Sequence, residues 1–390
     1  MRGFSINLFS AFYDKRKAFR GNAFVRILSI MKKLEKWPNL FCQMWFHKGK
    51  ITTSKASVHL IRYYNKSTIF THMVYCEVPL NEIDEVPLAV SLVTDRDAHA
   101  NNLLRVMNNE PIDGHKKDFA VCHKGLDFPF YDISIKLVEW LELLNILGVS
   151  KVFFYEFNVH PNISRVLQYY TLRGRVEVIP LTLPGTQPTE PKELHDFLMK
   201  NYKDQLSQEK LPYNDCFYRN INKFKYIVNL DLDEILIPRK GQTWQELIDK
   251  INKNHKNKGQ QLPDSYEIQR VISLDKFRSS HENDPRIPSY MYMLQNVYLL
   301  NNYTGGPKSV ISTERTITVK THKVERCQKR CVHFKVPEDT AHIVHFRKSC
   351  KGSKDTSCTT GISVKNIEIW KYKKDLIKQT TEVLIKLKLI

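Results

Sequence analysis

The sequence predicts an α/β fold: a mostly parallel sheet flanked by helices, with an accessory β region before it. Three observations carry this expectation. Strand-like and helix-like stretches alternate between residues 120 and 235, the pattern that right-handed crossovers in a parallel sheet require. The chain of 390 residues is 42% hydrophobic and 11% aromatic, which is enough to bury a core and excludes wholesale disorder. An apolar strand then runs directly into a group of acids within 224–238, at the sheet edge where such folds bind ligands.

The elements follow in order. Residues 1–60 are basic and weakly patterned, while 68–78 and 88–93 read as strands of the accessory region. Residues 120–122 read as a short buried strand ending in a loop at Gly125. Asp132 caps a helix in which Ile133, Leu137, Trp140, Leu141, Leu144 and Leu147 recur at spacings of three and four, and Gly148 stops it. Strands at 151–157, 176–179 and 225–230 alternate with helices at 163–172, 192–205 and 215–222. Trp244, Leu247, Ile248 and Ile251 mark a further helix, in which Trp244 packs into the core. Residues 252–261 read as a polar loop, and strands return at 266–272, 316–320 and 341–346. The expected organisation is a basic N-terminal segment or stem (1–65), the accessory β region (66–114), the main α/β domain (115–350) and a basic C-terminal tail with a helix (351–390).

Charge sharpens this division. Lys and Arg number 60 against 41 Asp and Glu, a net of +19. Residues 1–62 hold 13 basic and 2 acidic residues, residues 345–390 hold 11 and 4, and the span between holds 36 and 35. A near-neutral body with basic ends argues against a nucleic-acid partner, which would need a basic face on the folded body. The ends leave membrane-surface association open. No apolar run is long enough for a membrane span, and the N-terminus lacks the apolar core of a signal peptide. Eight cysteines, with no CxxC pair, make disulfides plausible and a zinc site a poor fit.

The chemistry concentrates in FKYIVNLDLDEILIP at 224–238. Asp231 and Asp233, two residues apart at a strand end, offer hard oxygen ligands for Mn²⁺ or Mg²⁺. Such an ion can bridge a diphosphate and offset the charge that develops on a leaving nucleoside diphosphate. With Glu234 they place three acids in four residues, an arrangement whose mutual repulsion a bound cation would relieve. A haloacid-dehalogenase-type phosphatase also carries such acids at a strand end, but it requires Thr where this chain has Ile235.

Several segments together resemble glycosyltransferase family 92: LVEWLELLNILGVSKVFFYEF at 137–157, NDCFYRN at 214–220, NLDLDEILIP at 229–238 and AHIVHFRKSC at 341–350. They occur in the family's order and spacing over roughly 115–350. The resemblance implies a GT-A type, Rossmann-like catalytic domain that is metal-dependent and inverting. It implies transfer of galactose from UDP-galactose to a glycan or glycoprotein hydroxyl in a β-1,4 link, by a protein of the Golgi membrane or lumen.

Carried over by residue, Asp231 and Asp233 match the metal and UDP motif, and Glu234 becomes a supporting or sugar-contacting acid. His345 and Arg347 match the late His-aromatic-Arg motif, as third metal ligand and diphosphate contact. Asp127 is a candidate for the uridine or ribose, in a segment (His123-Lys124-Gly125-Leu126-Asp127) that departs from the family's Pro and Leu-aromatic pattern. That departure keeps open an inactive member acting as a glycan- or nucleotide-sugar-binding protein. Glu282 and Asp284, with Asp275 beside them, are the candidates for the general base of an inverting transfer. The resemblance also suggests pairing of Cys122 with Cys216, and of Cys350 with Cys327 or Cys331.

Overall fold

The computed structural model describes residues 6–32, 37–110, 114–185, 187–200, 202–276, 284–300, 305–349 and 362–390. Glu282, Cys350 and Cys358 lie outside them. The chain divides into two compact units. One comprises Met1–Lys117, Pro180–Ile227 and Ser312–Cys331; the other comprises Asp118–Ile179, Val228–Ile311 and Val332–Ile390.

The first unit is built on a closed seven-stranded barrel of β1 (Ile6–Asp14), β2 (Phe24–Met31), β3 (Phe41–Trp45), β4 (Ile51–Leu60), β5 (Phe70–Glu77), β6 (Ala89–Val93) and β7 (Leu104–Met107). Strand order is β1-β2-β5-β4-β3-β6-β7, closed by a parallel β1–β7 pair. Closure removes the exposed sheet edges that invite aggregation. Val25, Ile27, Met44, Val74 and Val90 fill its core together with the disulfide-bonded Cys42 and Cys76.

Residues 6–60, read from sequence as a basic stem, thus supply four of the seven strands. In β2 every residue after Phe24 is buried. A strand covered on both faces carries no polar–apolar alternation, so the period that betrays a half-exposed strand is missing. Helices α3 (Pro191–Lys200), α4 (Tyr202–Gln208) and α5 (Lys210–Asn220) and a two-stranded ribbon also belong to this unit, α4 packing on β5 and α5 on β1 and β2.

The second unit is organised on an eleven-stranded sheet. Its opening is βαβα: β8 (Lys117–Phe128), α1 (Ser134–Ile146), β9 (Lys151–Val159), α2 (Pro161–Thr171) and β10 (Val176–Pro180). Asp132 starts α1 by accepting the Ser134 N–H at 2.9 Å. Gly148, at φ +92°, ends it: the Gly148 and Val149 amides bond back to Asn145 and Leu144, a double closure that needs a left-handed residue at that place. The later strands are β11 (Phe224–Asn229), β12 (Glu234–Pro238), β13 (Ser265–Leu274), β14 (Tyr298–Leu300), β15 (Gly305–Ser312), β18 (His333–Lys335), β19 (Ala341–Arg347) and β20 (Ser363–Lys365). The intervening β16 (Thr316–Val319) and β17 (Val324–Cys327) form the ribbon of the first unit.

Strand directions are mixed. The β8–β9, β13–β18 and β13–β19 pairs are parallel, whereas β12–β19, β13–β14, β13–β15 and β14–β20 are antiparallel. This corrects the expectation of a mostly parallel sheet: the molecule is α/β, but helical crossovers serve only its first half. Past β12 the strands come together through longer connections, so the antiparallel β12–β19, β13–β14, β13–β15 and β14–β20 pairs stand beside the parallel β13–β18 and β13–β19 pairs.

Other boundaries shift too. Strand β8 continues through the segment expected as a loop at Gly125, with register shifts at Cys122/Gly125 and Leu126/Asp127. The polar loop expected from 252 begins later, because α6 (Trp244–Asn257) runs on with its apolar face buried. The last helix, α7 (Lys373–Lys386), packs on α1. Cys327 and Cys331 bond to each other, with Cα atoms 5.3 Å apart, so neither is available to Cys350. Cys122 and Cys216 are each disulfide-bonded. No described helix is long and apolar enough to cross a membrane.

Candidate functional site

The site forms where β11 ends. Leu230 is fully buried, the chain turns through Asp231, Leu232 and Asp233, and β12 begins at Glu234 with an apolar run. Apolar residues on both sides anchor the turn, and the acids occupy it because its backbone bonds are made locally. The Glu234 N–H donates to the Asp231 carbonyl at 3.0 Å, and the Asp231 N–H donates to the Glu234 carboxylate at 3.3 Å. Two neighbours pin the turn further. The Trp140 indole N–H donates to the Glu234 carbonyl at 2.8 Å, and the Phe346 N–H donates to the Asp233 carbonyl at 2.8 Å.

The acids separate by burial. Glu234 has no exposed side-chain surface, Asp231 retains 21%, and Asp233 retains 51%. Lys308 on β15 is completely enclosed and sits between the two inner acids, with its Nζ 2.9 Å from Asp231 Oδ2 and 2.5 Å from Glu234 Oε2. Arg270 on β13 reaches Glu234 Oε1 at 3.1 Å, and Lys124 on β8 approaches Asp231 Oδ1 at 3.4 Å. Burial pulls the Lys308 ammonium down, but Asp231 and Glu234 outweigh it and hold its pKa above the ordinary lysine value. Burial pushes the Asp231 carboxyl up, and Lys308, Lys124 and His123 more than reverse this, leaving it well below the usual range. His123, enclosed beside the turn, is pushed down to about 4 chiefly by burial, and so stays neutral near pH 7.

Three acids in four residues therefore do not repel unchecked: Lys308, Arg270 and Lys124 bring three positive charges to them. The solvent side of the turn is different. His345 Nε2 on β19 lies 3.2 Å from Asp233 Oδ2, and His345 lies directly opposite Glu234 in the β12–β19 register. Arg347, two residues on, shares the strand face of His345.

This geometry bears on the expected metal set. Asp233 and His345 are accessible, close together, and of oxygen and imidazole type, which suits a hard or borderline divalent cation. Asp231 instead turns its oxygens to ammonium groups. Among the described residues, no group of three His, Cys, Asp or Glu side chains is arranged to hold a metal. The residues fit a two-ligand site at Asp233 and His345, backed by a charge-balanced interior.

Asp127 lies on β8, paired with Asn158 of β9. Asp284 accepts from Arg286 at 2.7 and 2.8 Å and has Lys373 at 3.7 Å, borders a cavity with Trp370, and shares no ion pair with the acidic turn. Its hydrogen bonds to Arg286 hold its carboxyl below the usual carboxylate range. Asp275 accepts from the Tyr292 hydroxyl at 2.6 Å. Trp244 is fully buried, donating to the Leu236 carbonyl at 3.0 Å.

Sequence reading missed Lys308 and Arg270, and gave Lys124 and His123 no role at the acids. One signal for Lys308 was present: a lone cation in the strand PKSVIS must find a partner once buried.

A strand-end acidic turn with an accessible carboxylate–imidazole pair, on an α/β sheet, is the kind of site that group-transfer enzymes carry. The chain belongs to glycosyltransferase family 92: the model of that family matches residues 117–380, more than half of the chain and all of the acidic site. Membership implies a glycosyltransferase with a nucleotide-sugar donor and a glycan acceptor. None of the curated proteins compared with the chain matches it.

Proposed function

We propose that the protein is an inverting, metal-dependent transferase of GT-A type that moves a hexose, galactose by the family resemblance, from a UDP-sugar to a glycan hydroxyl in a β-1,4 link. The observation that carries this reading is the division of the acidic turn into a compensated interior and an accessible Asp233–His345 pair at 3.2 Å. Asp233 and His345 would hold Mn²⁺ or Mg²⁺, which when bound offsets the negative charge on the departing diphosphate. Lys308 and Arg270 fix the turn from within, so the outer pair is held in place before the donor arrives. Arg347 and Lys124 are suited to the diphosphate as cations on the accessible side.

In the transfer, the acceptor oxygen forms a bond to the anomeric carbon as the bond from that carbon to the UDP oxygen breaks. The acceptor proton passes to a carboxylate. For that base the reading favours Glu282 over Asp284, because Arg286 weakens Asp284 as a proton acceptor. The Cys42–Cys76 and Cys327–Cys331 disulfides fit an oxidising compartment such as the Golgi lumen.

A second reading rests on the charge balance. Since Lys308, Arg270 and Lys124 already offset the three acids, Lys124 and Arg347 would bind the donor diphosphate without a metal. Turnover of UDP-galactose and other UDP-sugars with added Mn²⁺, with EDTA, and with Asp233→Asn decides between them. Mn²⁺-dependent turnover that Asp233→Asn abolishes supports the first reading. Turnover unchanged by EDTA supports the second, and donor binding without turnover under any condition supports an inactive binding protein.

A further inference from the structure

The first unit holds a cavity of about 200 Å³ lined by barrel strands β2, β4 and β5 and by the ribbon β16–β17. Every lining residue belongs to that unit; the lining residues before 76 precede the stretch that matches the family, and those of the ribbon lie within it. The lining combines three features: cations, aromatic faces and buried polar atoms without partners.

The cations are Arg26 and Arg326. The Arg26 guanidinium lies 4.5 Å from the Phe24 ring centre and 5.4 Å from that of Tyr75, and Arg326 lies 5.7 Å from Tyr75. Arg26 shares Asp14 with Arg16, so one carboxylate stands against two guanidinium groups. Arg326 is exposed and has no ion-pair partner among the described residues. Lys320 pairs with Glu325, and the pKa of His59 is lowered by its burial and by Arg326 and Lys320.

The partnerless atoms are His59 Nε2 and Thr318 Oγ1, both shielded from solvent with no hydrogen-bond partner among the described residues. Thr318 is completely buried. A buried polar atom without a partner costs roughly 1–3 kcal/mol, and two of them lining one cavity mark places where a ligand's polar groups would be received.

We propose that this cavity binds an anionic sugar residue, a single hexose-sized ring bearing a sulfate or a carboxylate. The anion meets Arg26 and Arg326, the ring lies against Tyr75, and ring hydroxyls meet Thr318 and His59. The volume is below the roughly 300–1,000 Å³ of clefts for drug-sized ligands, so one ring fits and an extended ligand does not. Paired arginines select for an anion; the aromatic faces and the waiting hydroxyl select for a sugar over a bare ion. The site is independent of donor turnover, so it stands or falls apart from the transferase reading.

The test is calorimetric titration of the full chain with galactose 6-sulfate, glucuronic acid, neutral galactose and inorganic sulfate. The two anionic sugars should bind at least about tenfold more tightly than galactose or sulfate alone, with affinity falling as salt rises. Arg326→Ala should weaken galactose 6-sulfate binding about tenfold. Thr318→Val should also weaken it while leaving the thermal midpoint of the free protein unchanged or raised, because the hydroxyl it removes is unpaired; a structural threonine would lower that midpoint. Equal affinity for galactose, tighter binding of bare sulfate, no binding at millimolar sugar, or an Arg326→Ala protein that binds as well as the parent would each overturn the proposal.

Discussion

Asp14 in the barrel unit and the Asp231–Glu234 turn in the sheet unit are both carboxylate sites taken out of water and met by cations. Asp14 is wholly enclosed. Arg16 grips it with two contacts of 2.8 Å, Arg26 adds a third at 3.3 Å, and Arg16 also donates to the Thr313 and Thr316 carbonyls. Asp14 and Arg16 are spent on the protein itself, and only Arg26 also faces the barrel cavity. In the sheet unit Lys308 and Arg270 treat Glu234 and the inner side of Asp231 in the same manner, but the cluster then continues outward to Asp233 and His345. Buried, compensated charge is therefore a scaffold in both places, and function requires an accessible extension of it. Substitutions that separate the scaffold from the extension test this contrast.

The largest expected effect is on stability, at Asp14. Asp14→Asn removes the carboxylate that Arg16 and Arg26 share, and breaking such a buried pair costs about 3–5 kcal/mol. Urea titration of the variant should show a loss of that size. A change below about 1 kcal/mol would mean that the barrel cluster is not the scaffold its geometry indicates.

Asp233→Asn should do the reverse. At half exposure, with His345 as its one side-chain partner among the described residues, the carboxylate contributes at most about 1 kcal/mol to folding. Donor turnover, however, should fall at least about 100-fold, the order of effect seen when one stabilising group of a transition state is lost. Equal losses in stability and in turnover would erase the distinction between the inner and outer acids.

Glu139 sharpens the comparison from a third side, as a buried acid without a cation bonded to it. It lies in α1, fully enclosed, and accepts backbone N–H bonds from Met293 and Leu294 at 3.0–3.2 Å. Burial raises its pKa to about 7 despite those bonds. A raised carboxyl favours the folded state while protonated. Its contribution is therefore complete below the unfolded pKa near 4.5 and is lost as pH rises through about 7. The parent should lose up to roughly 3 kcal/mol between pH 5 and 7.5 on this account, and Glu139→Gln should flatten that slope in urea titrations at the two pH values. An unchanged slope would show that the amides of Met293 and Leu294 compensate the charge as fully as arginines do.

How much of this was legible depended on whether a feature was local. The α1–β9–α2–β10 succession was, because its apolar periodicity and its Asp132 and Gly148 signals lie within short windows. The acidic turn was legible because its residues are consecutive. The barrel was not: in β2 burial runs unbroken from Val25 to Met31, and closure is a property of strands far apart in sequence. The partners of the acids were hidden for the same reason. Lys308 and Arg270 lie 77 and 36 residues from the acids they meet, and only the sheet brings them there. Strand direction past β12 also escaped, since a strand reads alike in either orientation.

Asp284 provides the smallest expected effect and the control for the others. The sequence offers it as a general base, and it is ionised and near an aromatic-lined cavity, as a base could be. Its two contacts to Arg286, with Lys373 beyond, hold the proton affinity down, which is the wrong direction for a group that must accept a proton near neutral pH. Loss of a true general base costs about 10²–10⁴ in rate. Asp284→Asn should therefore change kcat for UDP-sugar transfer by less than about tenfold, and should leave the pH profile of kcat where it was. A fall beyond 10² with a displaced acid limb would place the proton acceptor at Asp284, and would mean that an acid held by surface cations can serve catalysis as directly as the accessible Asp233.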